Sequence, residues 1–212
     1  MPSISLSPAD EHLRYPIGRL RLPEVPLTPA QRTGYIDQIA ALPTQLTATA
    51  RAVGGVRLQL SYRPNGWTGR AVIHHVADAH TQIYGRFRLA LTEDAPVIKA
   101  YDEVAWAALP DVEATPITVS LALLEALHAR FVILLHHMAA MDWARTYHHP
   151  KQQRTYTLDE GLVACAWHGQ HHLAHVALLA YGVGRRKSGL SQPLPEALHQ
   201  PVSAEGRTLP VC

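Results

Sequence analysis

The chain has 212 residues, of which 47% are hydrophobic and 17% charged, and its formal net charge is +2. This composition is typical of a globular protein and excludes a disordered chain or a coiled coil. The basic residues are scattered apart from a short cluster at 185–187, so we expect no nucleic-acid partner. No secretory leader is recognisable, no apolar run approaches the roughly 20 residues of a membrane span, and two cysteines fit a reducing compartment. We therefore expect a cytoplasmic protein with no membrane partner.

Four segments carry the signals of long helices, and proline-containing connections separate them. Thr28 and Thr157 each begin a capping box, in which the threonine caps the helix and a Gln or Glu three residues later caps it in return. Pro43 lies inside the first segment and predicts a kink or a break there. The predicted helices cover residues 28–53, 69–91, 118–141 and 157–182.

Four long helices joined by loops predict an all-α four-helix bundle over residues 28–184. Residues 1–27 contain five prolines and are interpreted as an extended N-terminal arm, and residues 185–212 as a polar C-terminal tail. Residues 56–62 alternate weakly in polarity and predict a short extended segment. The connection at 92–117 is long for a bundle, and long ordered loops tend to be functional.

The chain contains fourteen histidines, and two of them lie side by side in the second predicted helix. Successive residues of a helix are about 100° apart, so a wheel separates the two rings. Val72, Val76 and Phe87 mark the buried face of that wheel. His75 lies beside this face, whereas His74 points toward solvent. We therefore expect His75, and not His74, in the interior.

The fourth predicted helix contains two pairs of histidines spaced four residues apart, which stacks both rings of a pair on one face where they can bind the same ion. His172 lies on the apolar side of the wheel, and His168 lies on its border. His171 is furthest out, and His175 is intermediate. Buried imidazoles need partners, and a divalent ion satisfies three at once. We predict a metal site formed by His75, His168 and His172; satisfied core histidines are the alternative.

Several other residues are candidates for roles around this metal. Arg86 lies on the same flank of its helix as His75, where it either binds an anionic substrate or pairs with a carboxylate. Asp78 is a candidate partner for a ligating imidazole, and Cys165 is interpreted as a small core residue rather than a fourth ligand. The 92–117 connection is a candidate wall or lid, with Tyr101, Asp102 and Trp106 as further substrate-binding candidates. By default, surface or helix-end positions are assigned to His80, His128, His136, His137, His148, His149 and His171.

Six motifs lie in order between residues 15 and 182, and together they carry a family resemblance. They are Tyr15-Pro16-Ile17-Gly18, Tyr62 to Thr68, His74 to His80, Arg86 to Glu93, Lys99 to Glu103 with Trp106, and Trp167 to His175. In these motifs the sequence resembles the DinB superfamily, and within it the YfiT-like branch. The resemblance implies a four-helix bundle that binds nickel or zinc through His75, His168 and His172. It also implies, by analogy alone, a homodimer.

The resemblance covers more than one chemistry. In the YfiT-like branch it implies transfer of a low-molecular-weight thiol, bacillithiol, to electrophilic small molecules, while older usage calls these proteins metal-dependent hydrolases. Three protein ligands leave a coordination position open, as in catalytic sites. A thiol there would become a thiolate, whereas water there would supply hydroxide for amide or ester hydrolysis. The leading hypothesis is a metal-dependent thiol S-transferase; the alternatives are a hydrolase and a non-catalytic metal-binding stress protein.

Overall fold

The structure is a computed structural model that describes residues 8–23, 26–181 and 207–208. The helices are α1 (Pro8–Arg14), α2 (Pro29–Val53), α3 (Gly55–Leu58), α4 (Gly69–Thr92), α5 (Glu103–Ala107), α6 (Pro110–Ala114), α7 (Ile117–His136) and α8 (Leu158–Leu178). The strands are β1 (Arg21–Leu22), β2 (Thr146–His149), β3 (Arg154–Thr157) and β4 (Arg207–Thr208). β1 pairs antiparallel with β4, and β2 with β3. The predicted all-α four-helix bundle is confirmed, with α2, α4, α7 and α8 as its long helices.

Both predicted capping boxes are present. The Thr28 hydroxyl accepts the backbone N–H of Gln31, whose side chain accepts the backbone N–H of Thr28. Thr157 and Glu160 do the same at the start of α8. The first, second and fourth predicted helices therefore agree closely with α2, α4 and α8. Pro43 is accommodated inside α2 without breaking it.

Three predicted segments differ from the structure. The third helix ends at His136 rather than near 141, because Asp142 accepts the backbone N–H of Ala139 and holds the chain in a turn. The extended segment predicted at 56–62 is wrong in its first part, since α3 occupies residues 56–58, while Ser61 forms an isolated β-bridge with Thr68. The predicted arm at 1–27 is not wholly extended, since it contains α1. Of the predicted tail, only β4 lies within the described residues.

The order of the helices explains the long connection before α7. A first apolar cluster contains the first half of α2 and α8 and the second half of α4 and α7. A second apolar cluster contains the other halves. The four helices therefore run up, down, down and up. Since α4 ends at the first cluster and α7 begins at the second, residues 93–116, which carry α5 and α6, return the chain along the bundle.

The bundle is square in section, with α8 packed on α2 and α4, and α7 packed on the same two helices. By length and composition, α7 is apolar enough to cross a membrane. The expectation that no apolar run approaches that length is therefore wrong for this helix. One side of α7 faces the core through Leu124, Phe131 and Leu135, while Val119 and Ile133 are exposed.

Candidate metal centre

A layer of histidines separates the two apolar clusters. On α8 the first cluster ends at Trp167 and the second begins at Leu173, and the intervening residues include His168, His171 and His172. The same interruption occurs on α4 at His80 and on α7 at His128. Each of these histidines is at most 6% exposed. The core of the bundle therefore has a polar middle layer.

The three predicted ligands meet in this layer. One ring nitrogen from each of His75, His168 and His172 lies within 4.8 Å of the others. The Nε2 atoms of His75 and His168 are 3.2 Å apart, and the buried Nε2 of His172 has no hydrogen-bond partner among the described residues. Zinc binds imidazole nitrogens at about 2.0–2.1 Å, which places two tetrahedral ligands about 3.4 Å apart. The donor set therefore fits a divalent metal ion.

Burial keeps these rings neutral at physiological pH. Loss of hydration lowers the pKa of His75 to about 4, and it lowers the pKa of His168 and of His172 well below the ordinary value. The positive charge that a neighbouring ring would carry lowers the pKa of His168 and His172 further. A neutral imidazole is the form that offers a lone pair to a metal.

A second group of three, His171, His172 and His175, is equally close, with its ring nitrogens also within 4.8 Å of one another. In His175, however, both nitrogens already have partners. Its Nε2 lies 3.2 Å from the carbonyl oxygen of Arg14, and its Nδ1 lies 3.3 Å from Nδ1 of His172. Since a carbonyl oxygen only accepts, His175 donates its ring proton to Arg14, and its remaining lone pair accepts a hydrogen bond from His172. The hydrogen bonds therefore favour the ligand set with His75 and His168.

A cavity of about 570 Å³ lies beside the histidine layer, and His168 forms part of its wall. The cavity is framed by α4, α8, the β2–β3 hairpin, the N-terminal segment and the start of α5. Its polar lining residues are Arg14, Tyr15, Arg86, Tyr101, Glu103, Tyr147, His149, Lys151, Gln152, Arg154, Tyr156, Cys165 and His168. The lining contains four formal positive charges and, among the described residues, one carboxylate. Glu103 forms an ion pair with Lys151 at 3.0 Å, and Arg154 forms one at 2.6 Å with Glu160, which lies outside the lining.

The substrate-binding candidates divide into two groups. Arg86 and Tyr101 line the cavity, so the 92–117 connection forms part of its wall. Asp102 instead caps α5 by accepting the backbone N–H groups of Val104 and Ala105. Trp106 packs against Tyr101 with the two rings tilted and their centroids 4.5 Å apart, and it does not line the cavity.

Asp78 and Cys165, the two remaining candidates, make no hydrogen bond to His75, His168 or His172 within the described part of the chain. Within the described part of the chain, Asp78 makes no hydrogen bond to a histidine. Burial and the charge of Asp111 raise the pKa of its carboxyl group. Cys165 is fully buried, and burial raises the pKa of its thiol, as expected for a core cysteine.

Several histidines were misplaced by the sequence analysis. His74 does not face solvent but is 5% exposed, with Nδ1 at 2.8 Å from the Ser120 hydroxyl on α7. His171 is not the outermost ring of α8 but is 3% exposed and stacks on Trp167 at 4.3 Å. The default surface positions of His80, His128 and His149 are also wrong, since all three are buried. For His128 the sequence carries a usable signal, because this residue lies four residues after Leu124 and three before Phe131, on the apolar stripe of α7.

Comparison with known proteins agrees with this fold, and the names of the relatives refer to a metal. Residues 37–176 match the family model of the DinB superfamily. A protein of Bacillus pumilus, provisionally named a metal-dependent hydrolase, is 44% identical over 167 residues, covering 79% of this chain and 94% of the relative. A Bacillus cereus protein with the same provisional name is 43% identical, covering 79% and 95%. The solved structure of YfiT from Bacillus subtilis, described as a probable metal-dependent hydrolase with an unusual four-helix bundle topology, is similar with a TM-score of 0.78 and 36% identity, covering 80% of this chain and 97% of YfiT. The chain therefore belongs to the DinB superfamily.

Proposed function

We propose that the protein is a metal-dependent S-transferase that couples an anionic low-molecular-weight thiol, with bacillithiol as the first candidate, to electrophilic small molecules. The observation that carries the proposal is the positively charged cavity that opens onto His168. A thiol that bears carboxylates would be attracted into such a cavity, because low-dielectric walls strengthen the field of the cationic residues.

Two arginines are poised to bind carboxylates. The Nε atoms of Arg14 and Arg86 are buried and have no hydrogen-bond partner among the described residues. A carboxylate accepts two N–H groups from a guanidinium side by side, and such charge-assisted bonds are stronger than neutral ones. Bound in this way, the anionic end of the thiol would leave its sulfur free to reach toward the histidine layer.

His75, His168 and His172 would hold the metal ion. When bound, a divalent cation lowers the pKa of a thiol and so favours the thiolate, which is the nucleophilic form. The thiol proton leaves to water in the cavity. The sulfur then forms a bond to the electrophilic carbon while the bond from that carbon to its leaving group breaks, and the leaving group departs with the electron pair.

The second candidate is a metal-dependent hydrolase, which the names of the Bacillus relatives favour. Hydrolysis needs a base to take a proton from water. Glu103 is the one carboxylate of the described cavity lining, and it is already paired with Lys151. His149 is neutral, with a pKa lowered to about 4, first by burial and then by the charge of Arg86. Such a ring is a weak base, so in either candidate the proton would have to leave to solvent, and the preference for the thiol rests on the cationic lining of the cavity.

Both candidates can be tested with one set of preparations. Zinc- or nickel-loaded protein is incubated with monochlorobimane and bacillithiol, and conjugate fluorescence is compared with that of a reaction without protein. A parallel series offers anionic esters and amides without thiol. No conjugation above background with bacillithiol or any other carboxylate-bearing thiol would refute the transferase, and hydrolysis in the parallel series would then establish the second candidate.

A matched pair of arginine variants tests the role of the cavity charge. Arg86→Met should reduce kcat/KM for the thiol by about tenfold to a hundredfold, the loss expected for one hydrogen bond to a charged group. Arg88→Met is the control, because Arg88 is exposed on the same helix and bonds to the Tyr84 hydroxyl instead. Equal losses in both variants would contradict a specific role for Arg86. The homodimer, the cytoplasmic location and the absence of nucleic-acid and membrane partners stay predictions.

A further inference from the structure

A chain of hydrogen-bonded imidazoles leads from one backbone carbonyl to the metal centre. His128 Nδ1 lies 2.6 Å from the carbonyl oxygen of Ile39 on α2. His128 Nε2 lies 2.9 Å from Nδ1 of His80, and His80 Nε2 lies 3.2 Å from Nδ1 of His168. The far nitrogen of His168, Nε2, is the atom that faces His75. Three helices besides α8 therefore take part in holding His168.

The carbonyl at the end of this chain fixes the position of every proton. A carbonyl oxygen only accepts, so His128 must carry its proton on Nδ1. These rings form no ion pair with a carboxylate in the described part of the chain, and a neutral ring has one donor and one acceptor nitrogen. His128 Nε2 therefore accepts from His80 Nδ1, and His80 Nε2 accepts from His168 Nδ1. His168 is left with an unshared electron pair on Nε2.

A second, shorter chain does the same for His172. His175 Nε2 donates to the carbonyl oxygen of Arg14, so His175 Nδ1 carries the lone pair. It accepts from Nδ1 of His172, at 3.3 Å. His172 Nε2 is thereby left without a proton, and it is the same buried atom that has no hydrogen-bond partner among the described residues. The stacking of His175 on Tyr62, with centroids 4.0 Å apart, holds this ring in place.

We propose that His80 with His128, and separately His175, are positioning residues that hold His168 and His172 in the tautomer whose Nε2 lone pair faces the metal centre. The two chains share no residue, and each ends on a backbone carbonyl. Each leaves its ligand, His168 or His172, with the proton on Nδ1 and the lone pair on Nε2. A donor bond to the second nitrogen of a ligating imidazole fixes the orientation of the ring and raises its basicity as a ligand. Here neutral histidines perform the task for which carboxylates or carbonyls are commonly used.

The tautomers can be read directly in metal-free protein. In ¹⁵N-histidine-labelled protein, long-range ¹H–¹⁵N correlation spectra distinguish a ring protonated on Nδ1 from one protonated on Nε2. We expect the Nδ1–H form for His80, His128, His168 and His172, and the Nε2–H form for His175. Finding His168 or His172 in the Nε2–H form would overturn the proposal. This measurement needs neither metal nor thiol, so its failure is distinct from a failure of the proposed transferase activity.

Metal affinity provides the second test. His80→Leu should weaken zinc binding by about 10- to 100-fold in competition with a chromophoric chelator, the usual effect of losing such a partner. His80→Gln should recover much of that loss, because its amide can donate to His128 and accept from His168. His74→Leu is the matched control, a buried histidine on the same helix whose hydrogen bond goes to Ser120 instead.

The comparison among these variants separates positioning from packing. Equal losses of affinity in His80→Leu and His74→Leu, or no recovery in His80→Gln, would overturn the role of His80. His175→Leu should weaken binding by a similar factor through His172, whereas unchanged affinity would overturn the second chain. If a leucine variant does not fold, as judged by circular dichroism, the glutamine variant and the tautomers of the unaltered protein decide the question.

Discussion

In metal-free protein, the free energy of unfolding should fall steeply below pH 6.5, because the folded core keeps a group of histidines neutral. An unfolded histidine binds a proton with a pKa of about 6.5. In the folded protein burial lowers the pKa of His75 and His175 to about 4 and that of His171 to about 2. The pKa values of His80, His168 and His172 are lowered well below the ordinary value for the same reason. At a pH between the folded and the unfolded pKa values of these rings, the unfolded chain binds more protons than the folded protein does. The free energy of unfolding is therefore at its full value above pH 6.5 and decreases as the pH falls.

The size of the effect follows from the number of rings. At pH 5.5 each such ring lowers the free energy of unfolding by about 1.4 kcal/mol, and six together lower it by about 8 kcal/mol. A domain of this kind has about 5–15 kcal/mol in all. We therefore expect unfolding between about pH 5 and 6, before most carboxylates become protonated.

Urea unfolding followed by circular dichroism provides the measurement. The protein is kept in EDTA, and the unfolding free energy is determined at intervals from pH 7.5 to pH 5.5. A change of less than about 2 kcal/mol over this range, little more than one titrating ring would cause, would refute the neutral histidine core. Zinc added in excess of the chelator should raise the free energy of unfolding at pH 7.5 and raise it less at lower pH, since protons compete for the same nitrogens.

Three further predictions concern the ligands and the packing around them. His172→Ala should abolish stoichiometric zinc or nickel binding, and a variant that still binds one ion per chain would refute the ligand set. Arg32→Met should lower the unfolding free energy in urea by about 3–5 kcal/mol, because the buried carboxylate of Asp159 loses its guanidinium partner at 2.7 Å and keeps the backbone N–H of Leu27; a loss below about 1 kcal/mol would contradict this. Gly169→Ala should destabilise, since its Cβ would lie 2.5 Å from a leucine methyl of α2 and overpacking costs about 1–3 kcal/mol, whereas Gly85→Ala, with nothing within 4 Å, should stabilise by about 0.5–1 kcal/mol. Urea unfolding of both glycine variants checks the opposite signs, and equal signs would contradict the close packing of α8 on α2.

The long helices could be predicted because their signals are local. Thr28 and Thr157 each begin a four-residue capping box that predicts the start of a helix, and both capping boxes exist in the structure. The hairpin of β2 and β3 was not predicted, because a strand of four residues carries little pattern. It is held by non-local contacts, among them the backbone bonds of His148 to Pro96 and Ile98 in the returning connection. Such contacts are visible only once the helices are placed.

The helical wheels identified three rings that meet but misplaced those around them. A wheel assumes that a helix has one buried side. α8 has buried residues on every side, since α2 and α4 pack on it, the hairpin and the N-terminal segment cover further faces, and even His171 and His175 are enclosed. The wheel for α4 failed for His74 in the same way, because α7 covers that face. For a helix at the centre of a bundle, a wheel therefore shows how far a side chain points from the most apolar direction, but it does not show how exposed that side chain is.

The histidine layer is better explained by binding than by folding. Apolar side chains in its place would join the two clusters into one continuous core, and they would remove the acid sensitivity that the neutral rings impose. Buried imidazoles need hydrogen-bond partners, and the two chains that begin at the carbonyls of Ile39 and Arg14 supply them in order for His128, His80 and His168 and for His175 and His172. What they leave is the unpartnered Nε2 of His172, in a ring that has a nitrogen within 4.8 Å of one in His75 and one in His168, next to a cationic cavity. A buried metal site needs ligand nitrogens that keep a free lone pair while the other nitrogens around them are hydrogen-bonded. The two histidine chains provide this arrangement.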